Sequence, residues 1–468
     1  TQKYHIVVTN PPYMGSKGMG AKLAKFVKEH YPAYKSDLFS CCVARFTELA
    51  FPNGYVGFLT PYVWMFISSY EKLRKYIIDE KTIITLIQFE YSAFEEATVP
   101  ICTFVLQNAH IDKKSPYLRL TAYRGGMEVQ RQKTIEALAT HDKNTYFETY
   151  ARDFEKIPSS PIAFWAGAAL FGAFEHGEKL ENIAHPKKGL ATTDNNRFLR
   201  FWFEVDSRKI GISMRDKVAA VNSRRKWFPL NKGGEYRRWY GNKEYVVNWE
   251  HDGREMKAAV VARYGGGSYT KEIRSEERYF GNAITWSALT AGTSSFRYSD
   301  YGALFDSAGS SMFPEEVNTL YLMGFLNTKV TDYILHIINP TLNYGAGSIA
   351  SIPILWSERD RNIIETHARI NIDLSRANWD SYETSWDFQS HPLAPTAYER
   401  REQFSYNINA DARRKSVTLL SDRYERWAWD CNARFDQLKA NEEELNRIFI
   451  DIYGLADELT PAVAERDV

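Results

Sequence analysis

Between residues 4 and 89 the chain alternates apolar runs of strand length with stretches of helical periodicity. That order restricts the architecture more than any other feature. "YHIVVT" (4–9) reads as a buried strand, and "DLFSCCVARFTELAF" (37–51) spaces its apolar residues as a helix does before the turn "PNG". "GYVGFLTP" (54–61) is again strand-like. "SSYEKLRKYIIDEK" (68–81) opens on serine cap candidates and continues as an amphipathic helix, and "TIITLIQF" (82–89) is a third strand. The β-α-β-α-β order predicts an α/β fold with a parallel sheet. Two further runs, "ICTFVLQN" (101–108) and "PYLRLTAY" (116–123), are predicted to form its antiparallel edge.

From 125 to about 160 the pattern is polar and irregular, and the prolines of "IPSSPIAFW" interrupt any helix. A boundary is placed there, giving a first domain of residues 1–160. Residues 161–356 mix short strand-like pieces with loops rich in Gly, Ser and Asn, a mixed α+β domain. Residues 357–468 turn helical and charged, with "RDRNIIETHARINIDL" and "DQLKANEEELNRIFIDIYGL" the clearest amphipathic stretches.

Composition narrows the setting. The 59 basic and 58 acidic residues leave a formal net charge of +1, so any preference for nucleic acid must be local. Cys41, Cys42, Cys102 and Cys431 have no C-x-x-C spacing, which suits neither a disulfide framework nor a zinc cage; a reducing, cytoplasmic setting is expected, with no metal. No apolar run approaches membrane-span length, so no membrane partner is expected. The 29 Tyr, 27 Phe and 12 Trp make about twice the usual aromatic share, enough for a core with some left for stacking.

The first strand ends in Asn10-Pro11-Pro12-Tyr13. Two proline rings stiffen the turn, while the Asn10 carboxamide and the Pro11 carbonyl offer two acceptors. That pair suits a substrate –NH2 whose two hydrogens are gripped while its nitrogen lone pair is freed for an electrophile. Tyr13 offers a flat face to a ring.

With the strands and helices that follow it, "VVTNPPY" resembles the catalytic half of the adenine-specific DNA methyltransferases. The resemblance implies a partial Rossmann-like methyltransferase sheet. It also implies that Asn10 and Pro11 bind the adenine amine, Pro12 stiffens the turn, and Tyr13 stacks on a flipped base. "SAFEEATVPICTFVLQN" resembles the family's later hairpin and makes Phe94 a second stacking candidate. The family's methyl donor is S-adenosylmethionine, held on a glycine-rich loop and an acidic residue that have no counterpart here. "YGGGSY" (264–269) and "NYGAGSI" (343–349) read as turns. The chain is therefore expected to be the C-terminal portion of a larger enzyme, inactive alone. Its first strand would be an open apolar edge that pairs with a missing N-terminal half or with itself.

Residues 208–243 carry eleven Lys or Arg against Asp216 and Glu235, interleaved with Trp227, Phe228, Tyr236, Trp239 and Tyr240. This is the expected contact with double-stranded DNA. Lys188, Arg197, Arg224, Arg225, Lys226, Arg237 and Arg238 are the candidate DNA-binding residues. "PKKGLATTDNNRFLRFWFEV" (186–205) and "INPTLNYGAGSIASIPI" (338–354) resemble the ends of target-recognition domains, most of all in the PglX methyltransferases of BREX phage-defence systems. That resemblance implies site-specific N6-adenine methylation of DNA, with 161–356 reading the sequence and other phage-defence subunits as further partners. Two other readings stay open: a non-catalytic DNA-binding or assembly module, and an N-P-P-Y methyltransferase acting on RNA or protein glutamine.

Overall fold

The computed structural model describes residues 2–91, 99–290, 292–339, 343–394 and 420–467. They fall into two compact units, Thr1–Gly177 with His336–Pro340, and Glu178–Leu335 with Thr341–Val468.

The first unit is a six-stranded mixed sheet with helices α1 (Ala21–His30), α2 (Leu38–Leu49), α3 (Glu71–Glu80), α4 (Gly126–Thr140) and α5 (Ala168–His176). Its strands are β1 (Tyr4–Thr9), β2 (Ala50–Pro61), β3 (Thr82–Gln88), β4 (Ile101–Gln107), β5 (Lys114–Arg119) and β6 (Tyr146–Tyr150), in the order β1-β2-β4-β3-β5-β6. β1 and β2 run parallel, as do β3 and β5, whereas β4 lies antiparallel between β2 and β3. This corrects the expected edge hairpin. β4 is interior, packing Phe104 beside Phe58 and Leu86, and all three are buried. Twelve residues separate β3 from β4, more than a tight hairpin needs, and the buried Cys102, Phe104 and Leu106 suit an interior place.

Four local expectations also change. α1 occupies a stretch for which no helix was expected, although Leu23, Phe26 and Val27 follow helical spacing there. Ser68 and Ser69 lie in a 3-10 turn, and α3 starts at Glu71 without a side-chain cap. The polar stretch 125–160 contains both α4 and the edge strand β6; α4 escaped notice because Met127, Ile135 and Leu138 are exposed rather than gathered on a core face. β1 forms where expected but is not buried: Ile6 is 66% and Val8 78% exposed on the open edge of the sheet.

The second unit opens with β7 (Glu178–Lys179), α6 (Leu180–Ala184), α7 (Asn195–Phe198), β8 (Leu199–Phe201), α8 (Lys217–Asn222), β9 (Trp227–Asn231), β10 (Tyr245–Asn248) and α9 (Glu250–Arg263). β11 (Ala283–Trp286), β12 (Phe296–Ser299), β13 (Leu304–Phe305) and β14 (Ser311–Met312) follow. Then come α10 (Glu316–Leu326), α11 (Lys329–Ile338, its residues from His336 on belonging to the first unit), α12 (Ala346–Ala350), β15 (Pro353–Ile354), α13 (Arg361–Trp379) and the 33-residue α14 (Leu420–Ile452). The strands make a four-stranded sheet β13-β9-β10-β8, a three-stranded sheet β12-β11-β14 and the pair β15-β7. The two amphipathic stretches foreseen in the helical tail lie in α13 and α14. α13 packs against both α10 and α14, within the same unit as the loop-rich sheets.

Candidate functional site

β1 runs parallel to β2 up to Thr9, which pairs with Phe58, and the chain then leaves the sheet as Asn10-Pro11-Pro12-Tyr13. The corner therefore sits at the C-terminal end of two parallel strands, where α/β sheets place their ligand sites. Asn10 and Tyr13 are exposed, Tyr13 at 37%, while Pro11 is buried and anchors the turn. The Tyr13 hydroxyl lies 2.9 Å from Asn10 Oδ1 and 3.1 Å from the Leu59 carbonyl, donating to this pair of acceptors. An amide oxygen has two lone pairs, so this contact orients the Asn10 carboxamide and leaves it a second acceptor position.

Tyr13 sets its ring edge-on to Phe39 of α2, with centroids 6.3 Å apart, and Phe39 stacks on Tyr70. Burial, then Cys102, hold the Tyr13 phenol above its usual range; a phenol is a protonated donor at neutral pH even without that shift. Beyond the corner, Met14–Ser16 pair with Ser36–Leu38: Met14 N donates to Asp37 Oδ1 (2.9 Å), Leu38 N to the Met14 carbonyl (3.0 Å), and Ser16 N to the Ser36 carbonyl (3.1 Å). Sequence reasoning missed Asp37. It stands at the head of the helical run, the position of an N-cap, but its reach to Met14 has no local signal. Phe94 lies outside the described residues.

The glycine stretches do not build a donor site. Gly265 and Gly266 take left-handed angles just beyond the end of α9, and 343–349 lead into the five-residue α12. Neither is a strand-to-helix loop, so neither stretch fits the glycine loop that holds S-adenosylmethionine.

In the second unit most aromatics of the basic segment turn inward, whereas Arg208, Lys209, Arg215, Lys217 and Arg224 are exposed. Trp227, Phe228, Trp239 and Tyr240 are buried, so they serve the core rather than a stacking surface; Tyr236 is exposed. Arg208 pairs with Asp206, Lys217 with Asp252, Lys232 with Asp306 and Lys243 with Asp300. The expectation for Arg238 is corrected. Its side chain is 8% exposed, 3.0 Å from Glu442 of α14 and 3.7 Å from Asp332, and Glu442 also accepts from Trp239 Nε1 at 2.6 Å. A guanidinium enclosed by two carboxylates is not available to a phosphate. Arg237, half-buried, lies over the Trp379 ring, and Arg197 is exposed but bound to Glu255. Lys188 and Arg224 are exposed, and Arg225 and Lys226 half-buried; none of these four has a carboxylate partner within ion-pair distance among the described residues.

The family model for Eco57I restriction-modification methylases matches residues 1–94, which include the corner. The chain is 36% identical over 478 residues to the adenine-specific methyltransferase PglX of Lacticaseibacillus casei (strain Zhang), covering 100% of this chain and 38% of that protein. It is 33% identical over 469 residues to the adenine-specific methyltransferase BrxX of Escherichia coli O9:H4 (strain HS), covering 98% of this chain and 35% of the relative. Over its whole length the chain is PglX-like. The PglX-like chain thus spans somewhat over a third of the length of these relatives. Its fold is also similar to that of the Type IIL restriction-modification enzyme MmeI, solved in complex with DNA, with a TM-score of 0.55 at 11% identity, covering 99% of this chain and 56% of that one. Among the described residues, no helix is long and apolar enough to cross a membrane.

Proposed function

We propose that this chain is the amine-gripping and DNA-reading part of a site-specific DNA adenine N6-methyltransferase of a phage-defence system. The observation that carries the reading is the outward-facing corner at the end of β1, in a chain PglX-like from end to end. Asn10 Oδ1 and the Pro11 carbonyl accept the two hydrogens of the adenine amine, which favours the pyramidal nitrogen that attack requires. The base reaches them by leaving the duplex stack, at a cost of a few kcal/mol. Stacking on Tyr13, about 1–3 kcal/mol per base, offsets part of it. S-adenosylmethionine supplies the methyl group in such enzymes; the residues described here act on the acceptor. The open side of β1 is then the seam on which a cofactor-binding half pairs. The setting is cytoplasmic.

Expression of the complete protein in a methylation-free host is expected to place N6-methyladenine in one short asymmetric site, read by single-molecule sequencing of the chromosome. Unmodified DNA from cells that contain the folded protein would overturn the reading in favour of a binding or assembly module.

DNA contact in this reading rests on Arg224, Arg225 and Lys226 rather than on the whole basic segment. Replacing these three with Gln is expected to lower the slope of log affinity against log salt by roughly 0.9 for every phosphate contact removed. Lys243→Gln, at a lysine already held by Asp300, is expected to leave the slope unchanged. Duplex titrations over a range of salt concentrations measure both.

A further inference from the structure

Pro11 and Pro12 have no N–H, so the middle of the corner donates no backbone hydrogen bond to its surroundings. The pin comes from the next residue but one. Asp37 Oδ1 accepts the Met14 N–H at 2.9 Å and the Phe39 N–H at 3.2 Å, so one carboxylate oxygen caps α2 and holds the exit of the corner to it. Backbone bonds on either side, Leu38 N to the Met14 carbonyl and Ser16 N to the Ser36 carbonyl, make this a short antiparallel clamp. At the other end of the corner, Thr9 is held by its pairing with Phe58. The four residues between are thus held at both ends, with the buried Pro11 and the Tyr13–Leu59 hydrogen bond as further anchors, and at the exit the Asp37 side chain adds to the backbone clamp.

Resting on the proposed function, we infer that Asp37 is a positioning residue for amine capture: it sets the direction of the Asn10 and Pro11 acceptors by holding Met14 to the start of α2. Helix capping alone needs only an oxygen that reaches the Phe39 N–H, which a serine supplies. Reaching Met14 needs the longer Asp or Asn side chain. The two roles therefore separate by side-chain length.

The test uses the complete protein, labelled S-adenosylmethionine and unmethylated chromosomal DNA, with thermal unfolding measured on every variant. Asp37→Asn keeps both hydrogen bonds and is expected to stay within about threefold of the parent, whereas Asp37→Ser is expected to lose about 10- to 100-fold in kcat through misplaced acceptors. For Asp37→Ser, the KM for DNA and the melting temperature are expected to stay at the parental values. Asp37→Ala is expected to lose both kcat and melting temperature. Parental kcat in Asp37→Ser would reduce Asp37 to a helix cap and overturn the inference. So would a loss in Asp37→Asn equal to that in Asp37→Ser, because the acceptor oxygen is the same. Asn10→Ala run in parallel separates the two levels: parental activity there would sink the reading of the corner itself, while an inactive Asn10→Ala beside an active Asp37→Ser would sink only the role of Asp37.

Discussion

Asn10→Ala is expected to abolish adenine methylation, lowering kcat by about 100- to 1000-fold, the range seen when a preorganised group that stabilises a transition state is removed. The loss falls on kcat because the carboxamide acts on a nitrogen already brought to the corner, while affinity for DNA comes from elsewhere. Asn10 is exposed and outside any regular element, so its removal is expected to leave stability within about 0.5 kcal/mol. The comparison is made in the complete protein: labelled methyl incorporation into chromosomal DNA, with duplex binding and thermal unfolding as controls. Methyl transfer at the parental rate would remove the corner from the chemistry.

Glu442→Ala is expected to produce the largest loss of stability. Glu442 is 2% exposed and accepts from both Arg238 and Trp239, residues more than 200 positions away in sequence. Its removal leaves a buried guanidinium and a buried indole N–H short of a partner, at a cost of about 3–5 kcal/mol. Asp332 still faces Arg238 at 3.7 Å and limits the loss. Urea unfolding followed by tryptophan fluorescence reports the change. Arg238→Met in the Glu442→Ala background removes the stranded charge and is expected to recover part of the stability. A single variant that unfolds at the parental midpoint, or a double variant no more stable than the single, would show that the pair does not hold α14 to the basic segment.

The same pair explains why the place of Arg238 could not be read from the sequence. A run of eleven cations reads as a surface patch when only its own 36 residues are in view. Whether a cation is exposed depends on the carboxylates that the fold brings to it. Asp252, Asp300, Asp306, Asp332 and Glu442 all come from beyond the run. The interleaved tryptophans behave in the same way. Trp227 belongs to β9, and Trp239 sits 1% exposed against Glu442, positions that follow from sheet pairing and helix packing rather than from local composition.

Local information was sufficient for what local chemistry controls. The apolar runs marked β1, β2, β3 and β4, the period after Asp37 marked α2, and two prolines after a strand marked a stiff exposed corner. In each case the deciding forces act between residues a few positions apart: side-chain alternation, helical spacing and the missing N–H of proline. The partners across space were not legible. β4 lies inside the sheet rather than at its edge, Asp37 reaches back 23 residues to Met14, and Glu442 neutralises Arg238 from 204 residues away. These depend on which buried faces and charges meet once the chain is closed, an energy to which no stretch of sequence contributes alone.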